Sequence, residues 1–512
     1  MATTPLEHRP GPRATGGAYD TVIVGAGAGG MSAAIHLAAR GQRVLIVEKN
    51  SRVGGRLGVI EEEGFRIDIG PTIMLMIDVF RDLWRVAGRD FDEDVPCVKL
   101  DPNYRIHWPD GSTLDTTSQM HVMCEQLEAM EPGAASRFLE FMAKAGRDYR
   151  LARRKFVERA FASPAEFFTP DNIATLLSMK PFRSLYGELS RLFKDERLRQ
   201  AFSYQTMYMG ISPFDAPSIY GLLPYTEMGE GIWFPMGGYY SVAEGMQELA
   251  EGLGVEFWMD WPVSRIVTRS GVARGVQGPG GEVVEARNVV ANADLPYVAQ
   301  ELLPKGMGPT PNRVDLGLMR ATSSAYMMYL GVRGKYEHLL HHNIYFGSRF
   351  RETFQQIFHD HELPDDPSIY VHAPTRTDPS LAPEGHDQIF VLVPVSHQND
   401  RIRWGGAQEA AFRERVLDML EERAGLEGLR ERIVFERTKN PDQWASEFNL
   451  YKGSTFGLSY TIDQVGWFRP GVKHPSLEGM YFTGSSTQPG TGVPLVVISG
   501  RLTSERILND GR

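Results

Sequence analysis

The sequence is poor in cysteine. Two residues, Cys97 and Cys124, among 512 exclude a disulfide scaffold, and their 27-residue separation matches no zinc-binding pattern. Long apolar runs are also scarce. Thr21 to Ala39 approaches spanning length, with no formal charge and one histidine over 19 residues. It opens as a β-branched run and passes through a glycine cluster into a helical pattern, so it reads as strand, turn and helix. The first 17 residues are rich in Pro, Gly and Thr and hold no apolar core, which predicts a disordered lead-in rather than a signal peptide. Positive charge is in deficit: the net charge of −10 argues against nucleic acid as the main partner. The remaining composition, 42% hydrophobic and 23% charged, excludes disordered, collagen-like and multi-span classes. One residue is in excess. Glycine is 53 of 512, about 10% against the usual about 7%, which points to close backbone approaches to a partner group.

What the glycines approach is visible near the start. Tyr19 to Val24 is a β-branched run of the kind found in buried parallel strands. It leads into Gly25-Ala26-Gly27-Ala28-Gly29-Gly30, where Gly25, Gly27 and Gly30 form G-x-G-x-x-G. A helix is predicted over Met31 to Arg40, stopped by Gly41. A second strand, Arg43 to Val47, ends at Glu48. Here the first glycine permits a sharp turn, the second lets backbone approach a pyrophosphate, and the third lets helix pack on strand. The helix N-terminus offers unpaired N–H groups and a positive dipole end to phosphates. Glu48, 18 residues beyond Gly30, suits ribose hydroxyls and disfavours a 2′-phosphate. The ordered set specifies a dinucleotide.

Two later segments return to the same crevice. Asn50 to Arg56 brings Gly54-Gly55-Arg56 from the end of the second strand. Gly64 to Thr72 reads as a short strand closing in Gly70-Pro71-Thr72. Near the C-terminus, Met480 to Thr483 reads as a strand stopped at Gly484. Gln488 to Val496 then leads into a helix over Val497 to Leu508, with Pro494 near its start.

The E-K-x-x-x-x-G-G-R pattern from Glu48 and Lys49 to Arg56 resembles flavoproteins of the amine-oxidase and carotenoid-desaturase type. Thr206 to Tyr220, Gly231 to Gly238, His341 to Ile344, Asp366 to Tyr370 with Pro374 to Gly385, and Gln488 to Pro494 narrow the resemblance. Together they are similar to the bacterial and fungal phytoene desaturases, FAD-dependent carotenoid desaturases, from about Tyr19 to about Leu508. That resemblance implies an α/β fold: a Rossmann-like FAD-binding domain of the two-dinucleotide-binding type with a discontinuous α+β substrate domain. It assigns Arg56 to the flavin and phosphate side and the Gly70-Pro71-Thr72 turn to the isoalloxazine. The full expected cofactor set is Gly25, Gly27, Gly30, Glu48, Lys49, Gly55, Arg56, Gly70, Pro71, Thr72, Val263, Asp294, Gly484, Gly492, Val493 and Pro494. No metal is expected. Where the family often has histidine before the last Pro-Gly, this chain has Gln488.

The implied activity is dehydrogenation of a long isoprenoid polyene, most directly phytoene towards lycopene. Late-pathway 3′,4′-desaturases and terminal carotenoid oxygenases share much of the pattern. No side chain accepts a hydride, so the flavin must, and a weak base must take the proton. Candidates are Asp215, Arg376 and His342, with Glu227, Asp378 and Glu384 behind them. Each has a structural alternative: Asp215 as a cap before Pro217, Arg376 paired with Asp378, and His341 and His342 bonded to backbone carbonyls. Met207, Tyr208, Met209, Phe214, Tyr220, Trp233 and Phe234 are candidates for an apolar tunnel or for ordinary core. No second nucleotide fingerprint appears, which favours oxygen or a quinone as electron acceptor.

The cofactor domain is expected at 18–100, 230–305 and 425–512, and the substrate domain at 101–229 and 306–424. Lys144 to Arg159 is a basic island followed by Phe161, Phe167 and Phe168. It reads either as a solvated helix face or as a contact with an anionic membrane surface. A polyene substrate lives in the bilayer, so the expected setting is peripheral, on the cytoplasmic side of a membrane. Rival readings are an amine oxidase, a polyene saturase and a prenyl-binding chaperone of the same fold.

Overall fold

The computed structural model describes residues 19–307 and 319–511. The expected lead-in at 1–17 lies outside the described residues. The first β-branched run folds as the strand Tyr19–Val24, buried except at Asp20. Parallel neighbours flank it on both sides, Val44–Val47 and Val283–Ala291, which is why it is apolar throughout rather than alternating. Burying each such valine or isoleucine contributes about 1.5–3 kcal/mol.

These strands belong to a seven-stranded sheet ordered Arg265–Arg269, Val272–Gln277, Val283–Ala291, Tyr19–Val24, Val44–Val47, Glu256–Trp258, with Met480–Phe482 also paired to Val283–Ala291. Val283–Ala291 changes partner along its length. Its start is antiparallel to Val272–Gln277 and its end is parallel to Met480–Phe482. The C-terminal segment thus arrives beside the first glycine turn.

Two helices complete this unit, Ala28–Ala38 and Val493–Asp510. Both begin earlier than their sequence patterns predict, by three and four residues, so Gly29 and Gly30 are helical. Packing rather than propensity explains this. A Cβ on Gly500 would lie 2.5 Å from the Gly29 carbonyl oxygen, and Ser32 Oγ donates to the Val497 carbonyl at 2.7 Å. Only glycines let the first turn of one helix approach the second turn of the other this closely.

A second seven-stranded sheet runs Ile433–Lys439, Ser324–Arg333, His386–Val395, Ile369–His372, His342–Tyr345, Tyr104–His107, Thr113–Thr116. One face, with Tyr326 and Met328, packs under the helix Ala407–Glu422. The other, with Ala325, Met327 and Tyr329, meets Phe65 and Ile67 of the hairpin Val59–Glu62/Phe65–Asp68. This sheet crosses an expected boundary. Ile433–Lys439, grouped by sequence with the cofactor unit at 425–512, pairs with Ser324–Arg333 instead. Phe435 stacks on Phe65 at 5.7 Å, a contact between residues far apart in sequence that no local pattern reveals.

Among the described residues, no helix is long and apolar enough to cross a membrane.

Candidate active site

The glycine turn is built around a side chain from a neighbouring strand. Gly25 turns at φ +102°, a conformation that favours glycine, and its N–H donates to the Val47 carbonyl at 2.7 Å. Asn292 follows the strand Val283–Ala291, and its Nδ2 donates to the carbonyls of Gly25 at 3.1 Å and Gly27 at 3.3 Å. A Cβ on Gly29 or Gly484 would crowd the Asn292 amide oxygen, at 2.8 and 2.9 Å. Asn292 is outside the set expected from sequence, although a polar residue ending a β-branched strand two positions before Asp294 is a usable signal.

The expected polar contacts converge here. Glu48 is buried and accepts from the N–H groups of Ala26 at 2.8 Å and Asn50 at 2.9 Å. Burial raises its carboxyl above the ordinary value, against those hydrogen bonds. Lys49 bonds Asn449 Oδ1 at 3.0 Å and the Ser446 carbonyl at 3.1 Å. Arg56 donates to the Thr455 carbonyl and to Ser485 Oγ, each at 2.6 Å. Burial pulls its guanidinium down, while the Asp294 carboxylate supports the charge. Asp294 accepts from the Tyr451 N–H at 2.8 Å and from Ser486 Oγ. A Cβ on Gly70 would clash with the Arg56 carbonyl oxygen. Thr72 Oγ1 lies 2.7 Å from the Tyr370 hydroxyl.

Two helix N-termini open onto this crevice, at Gly27 and Gly492. Neither has a capping side chain or an acid in its first turn. Their free N–H groups and dipoles therefore face the crevice, which suits an anionic or electron-rich ligand. Gly492 stands at φ +104°, and a Cβ there would meet no atom within 4 Å, so the crevice passes directly over its backbone. Gly492, Val493 and Pro494 line this space.

The crevice has two lobes. The smaller, about 120 Å³, is bounded by Gly25, Gly27, Glu48, Lys49, Gly55 and Val263. The larger, about 1110 Å³, shares Arg56, Asn292 and Asp294 with it and extends away as an apolar chamber. Its floor is the second sheet (Ala325, Met327, Leu392), and its far wall is helical and aromatic. Of the tunnel candidates, Met207, Tyr208, Met209 and Tyr220 line it. Phe214, Trp233 and Phe234 pack elsewhere. Phe214 lies 4.5 Å from Tyr186, Phe234 lies 4.5 Å from His341, and Trp233 is in the short ladder with Cys97–Lys99.

The chamber opens through a greasy rim. Phe182 is 81% exposed and Leu177 57%, and both also line the chamber, as do Phe168, Ile173 and Phe468. The adjoining basic island is partly neutralised. Lys144 pairs with Asp148, Arg153 with Asp78 and Glu158, and Lys155 with Asp171.

The three leading acid–base candidates are not brought together. Asp215 is exposed and pairs with His359 at 3.0 Å, away from the chamber. Arg376 forms a buried ion pair with Asp387 rather than with Asp378, which accepts from the Gly237 N–H at 2.7 Å. Asp215 is thus held at the surface by His359, and the charge of Arg376 is matched by Asp387. Glu384 lies in the turn before the strand His386–Val395, where its carbonyl meets His386 Nδ1 at 3.0 Å. His342 is nearer the chamber but behind Tyr370, whose hydroxyl meets its Nδ1 at 2.7 Å. It stands with His341 and His372 in a buried cluster whose ring nitrogens lie within 4.8 Å of one another. Burial holds His341 down to about 3 and the other two well below their ordinary value, so all three are neutral imidazoles. Gln488 does scaffold work: it accepts from the Phe161 N–H at 3.1 Å and donates to the Gly466 carbonyl at 3.0 Å.

The family model for flavin-containing amine oxidoreductases matches residues 28–508. A zeta-carotene-forming phytoene desaturase from Myxococcus xanthus is 44% identical, covering 95% of this chain and 93% of its own. A phytoene desaturase from Neurospora crassa is 38% identical, covering 96% and 84%. The chain belongs to the phytoene desaturase family of flavin-containing amine oxidoreductases. Within that family an all-trans-zeta-carotene desaturase from Myxococcus xanthus is 36% identical, covering 97% of this chain and 94% of its own. Among solved structures, cyclohexylamine oxidase from Brevibacterium oxydans shares the fold at 16% identity and TM-score 0.62, covering 96% of this chain and 99% of its own. The protein is an FAD-dependent oxidoreductase with the flavoprotein fold expected from its sequence. The donor set fits FAD: two uncapped helix starts, glycine backbone where a Cβ would intrude, a part-buried arginine and a buried carboxylate at the end of the second strand.

Proposed function

We propose that this enzyme desaturates a carotenoid precursor, most directly phytoene towards lycopene. The chamber carries this reading: about 1110 Å³, continuous with the flavin crevice, walled by apolar side chains and open at an apolar rim. A long hydrocarbon fits such a space, whereas an amine would need a charged or polar partner near the flavin. The glycine turns, Glu48 and Arg56 would hold FAD, which supplies the two-electron hydride acceptor. The protein's own part is to hold the reacting C–H beside the Gly70-Pro71-Thr72 turn, keep water out, and provide somewhere for the proton. The carotenoid relatives act at more than one step, and zeta-carotene is the second substrate the same chamber would take.

The exposed rim supports an entrance that faces a membrane. Phe182, Leu177 and Phe168 are large apolar side chains that are exposed and also line the chamber, and exposed apolar surface at a cavity mouth marks an interaction site. The enzyme is read as peripheral on the cytoplasmic leaflet, entered from one side, with oxygen or a quinone as final acceptor. The test is incubation of the holoenzyme with FAD and phytoene-loaded liposomes, then chromatography of pigments. New conjugated products support the reading. An unchanged phytoene pool, with turnover of an already conjugated carotenoid, moves the enzyme to a later step.

A further inference from the structure

A buried acid lies behind the wall of the apolar chamber. Glu227 lies in the turn Thr226–Glu230 with its side chain fully buried. Its Oε2 accepts from the Tyr104 hydroxyl at 2.7 Å and from Gln205 Nε2 at 3.3 Å, and its Oε1 has no hydrogen-bond partner among the described residues. The groups facing it come from the strand Tyr104–His107 and the turn Tyr204–Met209: Tyr104, Gln205 and Tyr208, all uncharged at neutral pH. A carboxylate left without a cation is a strong base for its type, because burial opposes its charge.

This acid communicates with the chamber through tyrosines. Tyr204 and Tyr208 line the chamber, and their hydroxyls lie 2.8 Å apart. The Tyr208 hydroxyl also faces the Glu227 carboxylate and stabilises its charge, while Tyr370, also in the chamber wall, meets Thr72 in the flavin-facing turn.

We propose that Glu227 is the final acceptor of the proton released in each desaturation, and that it receives this proton through the Tyr208 hydroxyl. This rests on the desaturase reading above. The balance is simple. One C–H bond breaks and its electron pair leaves as hydride to the flavin oxidant. The adjacent C–H bond breaks, its electron pair becomes the new π bond, and its proton passes to the Tyr208 oxygen. The Tyr208 proton moves on to Glu227, which becomes a neutral acid and returns the proton to solvent before the next turnover. Glu227 touches neither substrate nor flavin and acts through Tyr208, so it is a positioning residue. The imidazoles behind Tyr370 are worse acceptors. Burial lowers them far below 6.5, whereas the same burial raises Glu227 to about 7.

The test combines kinetics with infrared titration of the resting holoenzyme. Wild-type kcat on phytoene in liposomes rises with pH to a plateau above about 7. Glu227→Gln lowers kcat roughly 100-fold and removes that limb. Tyr208→Phe lowers kcat similarly and keeps the test open if Glu227→Gln loses its flavin. A buried carboxylic C=O band fades as pH rises through about 7 in wild type and Tyr208→Phe and is missing from Glu227→Gln. Either variant within threefold of wild type with the same pH limb overturns the proposal, as does the lack of a titrating band. If wild type forms no conjugated product while the band titrates, the desaturase reading has failed rather than the assignment of Glu227 as a titrating acid.

Discussion

Asn292 Nδ2 and the Gly25 carbonyl lie 3.1 Å apart, and this bond ties the end of one parallel strand to the turn that ends its neighbour. The same amide reaches Gly27 and abuts Gly29 and Gly484, so one side chain keeps three backbone segments in register around the flavin crevice. Asn292→Leu leaves the Gly25 and Gly27 carbonyls unpaired, at a cost of about 1–3 kcal/mol. That corresponds to roughly 5- to 150-fold weaker flavin binding. The ratio of flavin to protein absorbance after dialysis reads it directly; full retention of FAD would count against this role.

Gly30→Ala drives a Cβ into the Gly25 carbonyl oxygen, where backbone rather than a flexible side chain must move. The variant is expected to purify without flavin and to melt below wild type. Gly252→Ala is the control. No atom lies within 4 Å of its Cβ, and the helix Tyr240–Gly252 should gain about 0.5–1 kcal/mol. Thermal melts of both, with flavin content, separate crowding from a general glycine effect.

At the rim, Phe182→Glu with Leu177→Glu replaces two exposed apolar side chains by charges that repel anionic lipid. Each lost insertion costs about 1.5–3 kcal/mol at full burial, so vesicle co-sedimentation should weaken at least roughly tenfold. Flavin content should not change, because neither residue borders the glycine turns. Equal vesicle binding by wild type and variant would exclude this rim as the membrane contact.

Acid should destabilise the fold through its buried imidazoles. An unfolded histidine takes a proton below about 6.5, whereas folded His341 and His36 resist until about 3. Between these values the unfolded chain binds more protons, so stability falls as pH falls. At pH 5 each group costs about 2 kcal/mol relative to pH 7 or above. Denaturant melts at pH 7 and 5 measure the slope, and His341→Gln should make it shallower. An unchanged slope in that variant would show that His341 does not carry it.

Much of the cofactor site is legible in the sequence because its requirements are local. Gly25, Gly27 and Gly30 are consecutive demands of one turn, and Glu48 follows at the end of the next strand. Arg56 and the Gly70 turn are legible through their motif; all of these line the crevice except Gly30, which packs beneath the Gly25 carbonyl. Helix starts are not, because glycine propensity argues against helix while the packing of Gly500 on Gly29 favours it. The acid–base residues are not legible either. Asp215 and Arg376 lie within family motifs and Glu227 between two of them, and nothing in the sequence separates the three.

The sequence by itself determined the flavin-binding architecture, since period, turn glycines and strand-end acid are properties of short segments. Only the tertiary structure decided which charges are spent on partners and which face the chamber. His359 reaches Asp215 from 144 residues away, and Asp387 neutralises Arg376 across the turn before its strand. Tyr104 and Gln205 surround Glu227 without neutralising it. Such matching depends on contacts between residues over a hundred positions apart, as with Asp215 and His359 or Tyr104 and Glu227, and solvation at a site is fixed only once those contacts close.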